Sequence, residues 1–460
     1  MDNVSVEQIK DKSFEPMSLR EQIIYALSEF AGNPLYTVVA SFLTFFYTDV
    51  IGVNPGSVGL VILLSKFLDG ISDVAMGNII DHTHTKAGNT RPWFLRAAFP
   101  LVVAFIALFT VPNVPEIGKL VYIFVTYNFS LTVVYTVVAC TLVALPTYAT
   151  ADSKSRSTAH AIRLFLAGTI QMFLAFFFLR IIEALGGDQT AWIKFAAILG
   201  IIGFAACFVV YFGTKERVIL VHKKGEKLPL TKALWSLLKN KYWLIIVGIV
   251  FLYILHQVTT LTIGIYYAKY ILGDQNMTGN LILYHHIPAI ATCFIIPFII
   301  QIGIPKGKIA MGATLLMLLG AVMLVFSNES IVLIVSLGLR GIGFGAINGV
   351  YVGMCADTIT YGEWKTGVKA LAINTSAVTV SQKVGAGVGT ALFGGMLAMA
   401  GYNGLAEVQS PSALTAIRIC FVYVPIALYI LQAVLLLAYK LDKEYPAILK
   451  ELEQRHQAEA

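Results

Sequence analysis

The sequence predicts an all-α polytopic membrane protein, and three observations predict it. Of its 460 residues 57% are hydrophobic and only 13% charged, against a charged share of about 25% in ordinary soluble domains. The mean hydropathy is +0.76. The apolar residues gather in runs of about 20, the length that crosses a bilayer as a helix. At roughly 35 residues per helix and connection, the chain has room for about twelve spans in two six-helix halves.

Taken in order, the first sixteen residues, MDNVSVEQIKDKSFEP, are polar and mixed in charge, unlike a cleavable signal peptide. The first span is expected over 21–47, the second over 61–81 and the third over 93–111. The fourth covers 119–148, the fifth 158–185 and the sixth 191–212. A lysine-rich segment then divides the chain, and the second half repeats the plan over 242–269, 278–302, 309–326, 331–355, 371–400 and 417–437. The expected organisation is an N-terminal six-helix bundle (1–214), a linker (215–239), a C-terminal six-helix bundle (240–440) and a tail (441–460).

Basic residues collect in alternate connections, among them Lys86 with Arg91, Lys154 with Arg156, Lys306 with Lys308, and Lys365 with Lys369. The positive-inside rule therefore places both termini and the linker in the cytoplasm, the expected location being the inner (plasma) membrane. The formal charge of +7 is spread over connections rather than gathered on one soluble domain, which argues against a nucleic-acid partner. The five cysteines stand singly in apolar stretches and read as small buried residues. There is no phosphate-binding G-x-x-x-x-G-K-[ST], no filter-like loop, and no nucleophile–base set or metal-ligand spacing. Two halves joined by a basic cytoplasmic linker suggest a secondary transporter rather than a pump, a channel or an enzyme.

Charges inside the spans carry the chemistry, since each costs on the order of 3 kcal/mol at the bilayer centre. Lys66, Asp69 and Asp73 fall on one helical face of the second span. They read as a cation site on a water-filled cavity, with a structural Lys66–Asp69 ion pair as the alternative. Tyr25, Glu29 and Asn33 recur every four residues along the first span; Glu29 could bind a hydroxyl, titrate, or pair with a basic residue. Asp49 reads as structural at the outer interface. Arg163 could clamp substrate oxygens or snorkel to the interface. His256, His285 and His286 read more readily as hydrogen-bonding spacers than as ligands. Arg340 lies in the glycine-rich LGLRGIGFGAING, which permits close packing and local unwinding. It is a candidate for an anionic substrate or for a partner such as Glu29. Lys383, in SQKVGAG, could pair with Asp69 or Asp73 or contact substrate.

Several motifs together resemble the glycoside–pentoside–hexuronide:cation symporters of the major facilitator superfamily. They are FFYTDVIGV, KFLDGISDVAMGNIID, the turn GNTRPW, CADTITYGEWKTGVKALA, and QKVGAGVG followed by Gly401 and Tyr402. The resemblance covers nearly the whole chain. It implies a twelve-helix major facilitator fold that imports sugar with Na⁺ or H⁺ by alternating access, without a cofactor. Asp69 and Asp73 fall on the carboxylates that bind the coupling cation, so they are the metal ligands if the ion is Na⁺. Lys66 and Lys383 fall on coupling positions. Tyr25, Glu29, Asn33, Arg163, Arg340 and Thr379 become candidates for substrate binding. Arg91, Asp357, Tyr361, Glu363, Lys365 and Lys369 are expected to form a cytoplasmic gate, the last five in a turn whose ion pairs join the halves. The implied partners are a small sugar, the cation and membrane lipid.

Departures from the family pattern bear on substrate. Asn33 stands where melibiose permease has an aspartate, and Val138, Cys140 and Leu142 replace a polar residue, a proline and a stacking tryptophan. An apolar wall cannot hydrogen-bond galactosyl hydroxyls, so melibiose is not expected. Arg340 tilts the expectation towards an acidic sugar. The alternatives are a non-sugar or lipid substrate on the same cation machinery, and a transport-inactive receptor or sensor.

Overall fold

The computed structural model describes residues 14–218, 235–367, 371–406 and 408–459, without the side chains of 371–377 and 456–459. Helices carry nearly all of it, and the described residues form no named strand; the GNTRPW connection holds a single bridge between Thr85 and Gly88.

The first span is built from α1 (Leu19–Ala26) and α2 (Glu29–Val38), followed by π-helical turns over Val39–Leu43 and Phe46–Val50. The expected single helix is thus broken at Leu27 and Ser28. The Ser28 hydroxyl donates to the Tyr25 carbonyl at 2.5 Å, and neighbouring N–H groups turn to carbonyls three residues back, competing with the regular ladder. α3 (Pro55–Asp81) follows, started by Asn54, whose side chain accepts from the backbone of Gly56 and Ser57. α4 spans Arg91–Phe109. The fourth span comprises α5 (Glu116–Tyr127), a π-helical run over Asn128–Tyr135 and α6 (Thr136–Ala149). α7 (Ser153–Ala184) and α8 (Gln189–Gly213) complete the first half, their starts capped by Asp152 and Asp188.

The second half holds α9 (Lys241–Tyr270), α10 (Met277–Gln301), α11 (Lys306–Phe326), α12 (Ser330–Thr366) and α13 (Leu371–Met399). α14 (Pro411–Arg418), a π turn (Ile419–Tyr423) and α15 (Val424–Ala438) follow, then α16 (Leu441–Glu459). α12 is unbroken through its glycine-rich stretch, so the local unwinding allowed by the sequence does not occur. It also runs eleven residues past the expected end at Cys355, closing where Gly367 takes φ 68°. Asp357, Tyr361, Glu363 and Lys365 therefore lie on its last turns and not in a loop. The expected tail is a helix held by side chains: Glu451 accepts from Trp364 Nε1 at 2.8 Å, and Glu444 from the Tyr242 hydroxyl at 2.7 Å.

Nine helices among the described residues are long and apolar enough to cross a membrane. The broken first span, the charged α3 and the partly described α13 stand outside those nine. On α3 the exposed residues Leu60, Leu64, Phe67, Ile71 and Val74 form an apolar face, while Ser65 and Asp69 turn inward. An outward apolar face with inward polar groups is what a bilayer selects.

The chain falls into two compact units. One holds the described residues up to 218 with Tyr402–Val408, the other those from 235 to Gly401 and from Gln409 onward. In the first, Glu216 accepts from the backbone N–H groups of Asn89, Thr90 and Arg91 and from the Thr90 hydroxyl, all at 2.7–2.9 Å. One carboxylate thus satisfies the start of α4 and meets the positive end of its dipole. Arg217 pairs with Glu21 at 2.9 Å, and that hydrogen bond raises the guanidinium above its ordinary range. In the second unit Gly341 and Gly345 lie against α10, where a Cβ would sit 2.0 Å from the carbonyl oxygens of His285 and Ala289.

Candidate functional site

The second and fourth spans meet as a polar ladder. Asp69 is buried at 4% exposure; one carboxylate oxygen accepts from the Thr132 hydroxyl at 2.5 Å and the other from Lys66 Nζ at 3.0 Å. One turn along, half-buried Asp73 accepts from the Thr136 hydroxyl at 3.2 Å. Both rungs join residues 63 apart, so the i, i+4 spacing of the aspartates is matched by that of the threonines. The Thr132 hydroxyl also lies 3.1 Å from Asn128 Oδ1, Asn128 donates to Ser65 at 2.8 Å, and Ser72 donates to the Thr132 carbonyl. Lys66 Nζ lies 5.6 Å from the Tyr127 ring centroid.

The π-helical run over Asn128–Tyr135 shapes this ladder. Such runs are rare and recur at functional sites because a widened turn re-aims side chains and loosens backbone carbonyls. Here it carries Asn128 and Thr132. Carboxylates, hydroxyls and amide oxygens form the all-oxygen donor set that a hard cation takes. The Lys66–Asp69 pair raised from the sequence as an alternative is formed, within the same cluster.

A second polar cluster joins the first and fifth spans. Glu29 is buried, its two oxygens facing Arg163 Nη1 at 2.8 Å and Asn33 Nδ2 at 3.2 Å. Asn33 also donates to the Ala167 carbonyl and accepts from the Thr37 hydroxyl at 2.9 Å. Arg163 therefore turns inward instead of snorkelling. Tyr25 leaves the expected stripe, because the break at Ser28 turns its hydroxyl to the Leu142 carbonyl at 3.1 Å. Val138 is buried against the first span, its Cγ1 3.4 Å from where a Cβ on Gly32 would be.

The other expected residues are distributed differently. Arg91 donates to the Tyr211 and Ala87 carbonyls and lies 5.2 Å from the Tyr211 ring. Asp357 pairs with Lys306 of its own unit at 2.7 Å. Tyr361 is buried edge-on to Tyr242, and Lys365 donates to the Lys239 carbonyl. Lys369 lies outside the described residues. Lys383 and Thr379 stand on α13, half-buried and exposed respectively. Arg340 is enclosed in the second unit, donating to Thr260 and lying over Phe421, while Glu29 is engaged by Arg163.

Sequence reasoning missed Ser65, Ser72, Asn128, Thr132 and Thr136 as ladder members. The signal present was the repeat Asn128, Thr132, Thr136 at intervals of four in an otherwise apolar span. Asp49, read as structural, accepts from Thr48 and from the Tyr402 hydroxyl at 2.7 Å.

Comparison with known proteins places these clusters in context. The chain is 34% identical over 455 residues to the isoprimeverose transporter of Lactiplantibacillus pentosus, with 97% of this chain and 94% of that one covered. It is 28% identical to the inner membrane symporter YicJ of Escherichia coli (92% of each chain). To the glucuronide carrier protein homolog of the same bacterium it is 27% identical (96% and 97%). The fold is shared with the nucleoside transporter NupG at 12% identity and a TM-score of 0.64, covering 90% of this chain and 99% of that one. A bacterial homologue of the peptide transporters PepT1 and PepT2 shares it at 13% identity and a TM-score of 0.65, covering 95% and 99%. The MFS/sugar transport protein family matches residues 24–443. With a matching relative above 30% identity and a match over nearly its whole length, the chain belongs to the MFS/sugar transport protein family, the glycoside–pentoside–hexuronide group that its motifs resemble.

Proposed function

We propose that this protein is a cation-coupled symporter that imports a glycoside or hexuronide with Na⁺ or H⁺ by alternating access. The observation that carries the reading is the Asp69–Thr132, Asp73–Thr136 ladder, held in the same bundle as the Glu29–Arg163–Asn33 cluster. The cation enters the ladder, where Asp69 and Asp73 supply charge and Ser72, Asn128 and Thr132 supply neutral oxygens. Cation binding competes with Lys66 for Asp69, so the ammonium moves as the ion arrives.

Asn33 and Arg163 offer amide and guanidinium donors to sugar oxygens, and Glu29 offers an acceptor. Lys383 is assigned to couple cation charge to the sugar site. Coupling of this kind is reciprocal: occupied cation raises sugar affinity and occupied sugar raises cation affinity by the same factor. The relatives whose names refer to isoprimeverose and glucuronide support a glycoside class that spans neutral and acidic sugars. Buried Val138 and Leu142 favour a substrate other than melibiose. The cytoplasmic side is proposed to hold both termini, with Arg91 and the end of α12 shaping the inner gate.

The test is uptake of a labelled panel of glycosides and hexuronides into vesicles with Na⁺ and pH gradients imposed separately. Asp73→Asn is expected to abolish gradient-driven accumulation with expression intact. Unchanged concentrative uptake in that variant would sink the assignment.

A further inference from the structure

Arg340 is the one fully buried charge in the second unit for which the described residues show no opposite charge. Its exposure is 0%. Nη2 donates to the Thr260 hydroxyl at 3.2 Å, the guanidinium lies 5.4 Å from the Phe421 ring centroid and beside the Tyr429 hydroxyl, and Nε and Nη1 have no acceptor in hydrogen-bond geometry. Elsewhere in the molecule Lys66, Arg163, Arg217 and Lys306 each meet a carboxylate within 3.0 Å. A guanidinium stays charged at any pH a protein survives, so Arg340 cannot shed its charge as a buried lysine could.

The groups around it are polar without being anionic. Thr260 donates to the His256 carbonyl, His256 meets the Tyr429 hydroxyl at 2.6 Å and His285 Nε2 at 3.4 Å, and His285 Nδ1 also has no partner. Neither imidazole nor phenol carries negative charge near neutral pH. Gly264 is buried one turn along α9 from Thr260 on the same face, yet a Cβ there would meet nothing within 4 Å.

We propose that Arg340, with Thr260, holds a small monovalent inorganic anion of chloride size in this enclosed site. Water would satisfy the open N–H groups but leave the positive charge uncompensated in a low-dielectric interior, whereas a small anion does both. The carboxylate of a sugar is disfavoured, because the guanidinium presents no accessible surface to a ligand that large. The site shares no residue with the Glu29–Arg163–Asn33 cluster or the aspartate ladder, so it stands whatever sugar and cation the protein carries.

The experiment is thermal unfolding of the purified full-length protein in detergent, with chloride titrated against methanesulfonate at constant sodium and ionic strength. Wild type is expected to gain about 1–3 °C in Tm per tenfold rise in chloride above its Kd, with bromide replacing chloride. Arg340→Gln is expected to lose that dependence. Gly264→Leu, which fills the open space and leaves Arg340 in place, tests the site without removing the charge and is also expected to lose it. A wild-type Tm flat in chloride overturns the proposal, as does full chloride dependence in Gly264→Leu. Stabilisation by glucuronate that Arg340→Gln abolishes and that chloride does not reproduce overturns it too, in favour of a substrate carboxylate at Arg340.

Discussion

Thr132 shows how one hydroxyl can govern a charged site. Its donation to Asp69 fixes the carboxylate, and its other contact orders Asn128. Thr132→Val keeps the volume and removes both contacts. Orienting groups of this kind are typically worth 10–100-fold in ion affinity, so the cation concentration for half-maximal uptake is expected to rise by about tenfold or more. An unchanged value would show that Thr132 does not shape the site. Arg163 makes the parallel case for the sugar cluster. Losing one partner of a buried ion pair typically costs about 3–5 kcal/mol, because the other charge is left alone. Arg163→Gln is therefore expected to lower both Tm and sugar affinity, whereas Arg163→Gln with Glu29→Gln recovers Tm without recovering affinity. The aspartates were legible in the sequence because a charge in an apolar run stands out. Their threonine partners were not, since a threonine in a span is ordinary and only the fold shows which aspartate it faces.

Among the elements, α4 and α12 are the instructive ones. The start of α4 is held by Glu216, a residue 125 positions from Arg91, and no local pattern could announce that cap. Glu216→Ala removes one carboxylate from four donors and is expected to destabilise the protein by roughly 1–3 kcal/mol, read as a fall in Tm. No fall would mean that water replaces the cap without loss. α12 was legible as a close-packing helix from its glycines, and Gly345→Leu, which drives a side chain into the Ala289 carbonyl, is expected to prevent folding or to shift α10. Its length was misread because the charges of DTITYGEWK resemble a solvated turn. They belong to a helix that leaves the apolar run and continues to Gly367. The first span was misread in the opposite sense: periodic Tyr25, Glu29 and Asn33 suggested one smooth helix, and a serine's bond to its own backbone divides it.

For the whole molecule, composition and hydropathy sufficed for the all-helical membrane class, and the motif order sufficed for the family. The orientation remains a proposal with a direct check. Native Cys207 and Cys420 are buried and Cys140, Cys293 and Cys355 half-buried, which leaves a low labelling background. A cysteine placed at Gln275, between α9 and α10, is expected to react with an impermeant thiol reagent in intact cells, and one at Lys443 only after permeabilisation. The reverse pattern would invert the topology. What composition could not supply is which polar groups meet, because meeting depends on the crossing of helices far apart in sequence.

The matched spacing of the two rungs between the second and fourth spans also fixes a register. Inserting one residue between Tyr127 and Asn128 would rotate Thr132 and Thr136 together by about 100° and take both hydroxyls from both aspartates at once. Inserting four restores the face but advances it by about one turn, leaving Asp69 opposite the former Asn128 and Asp73 opposite the former Thr132. Cation-driven uptake should therefore vanish with a one-residue insertion and return in part with four, a phase dependence that point substitutions cannot show.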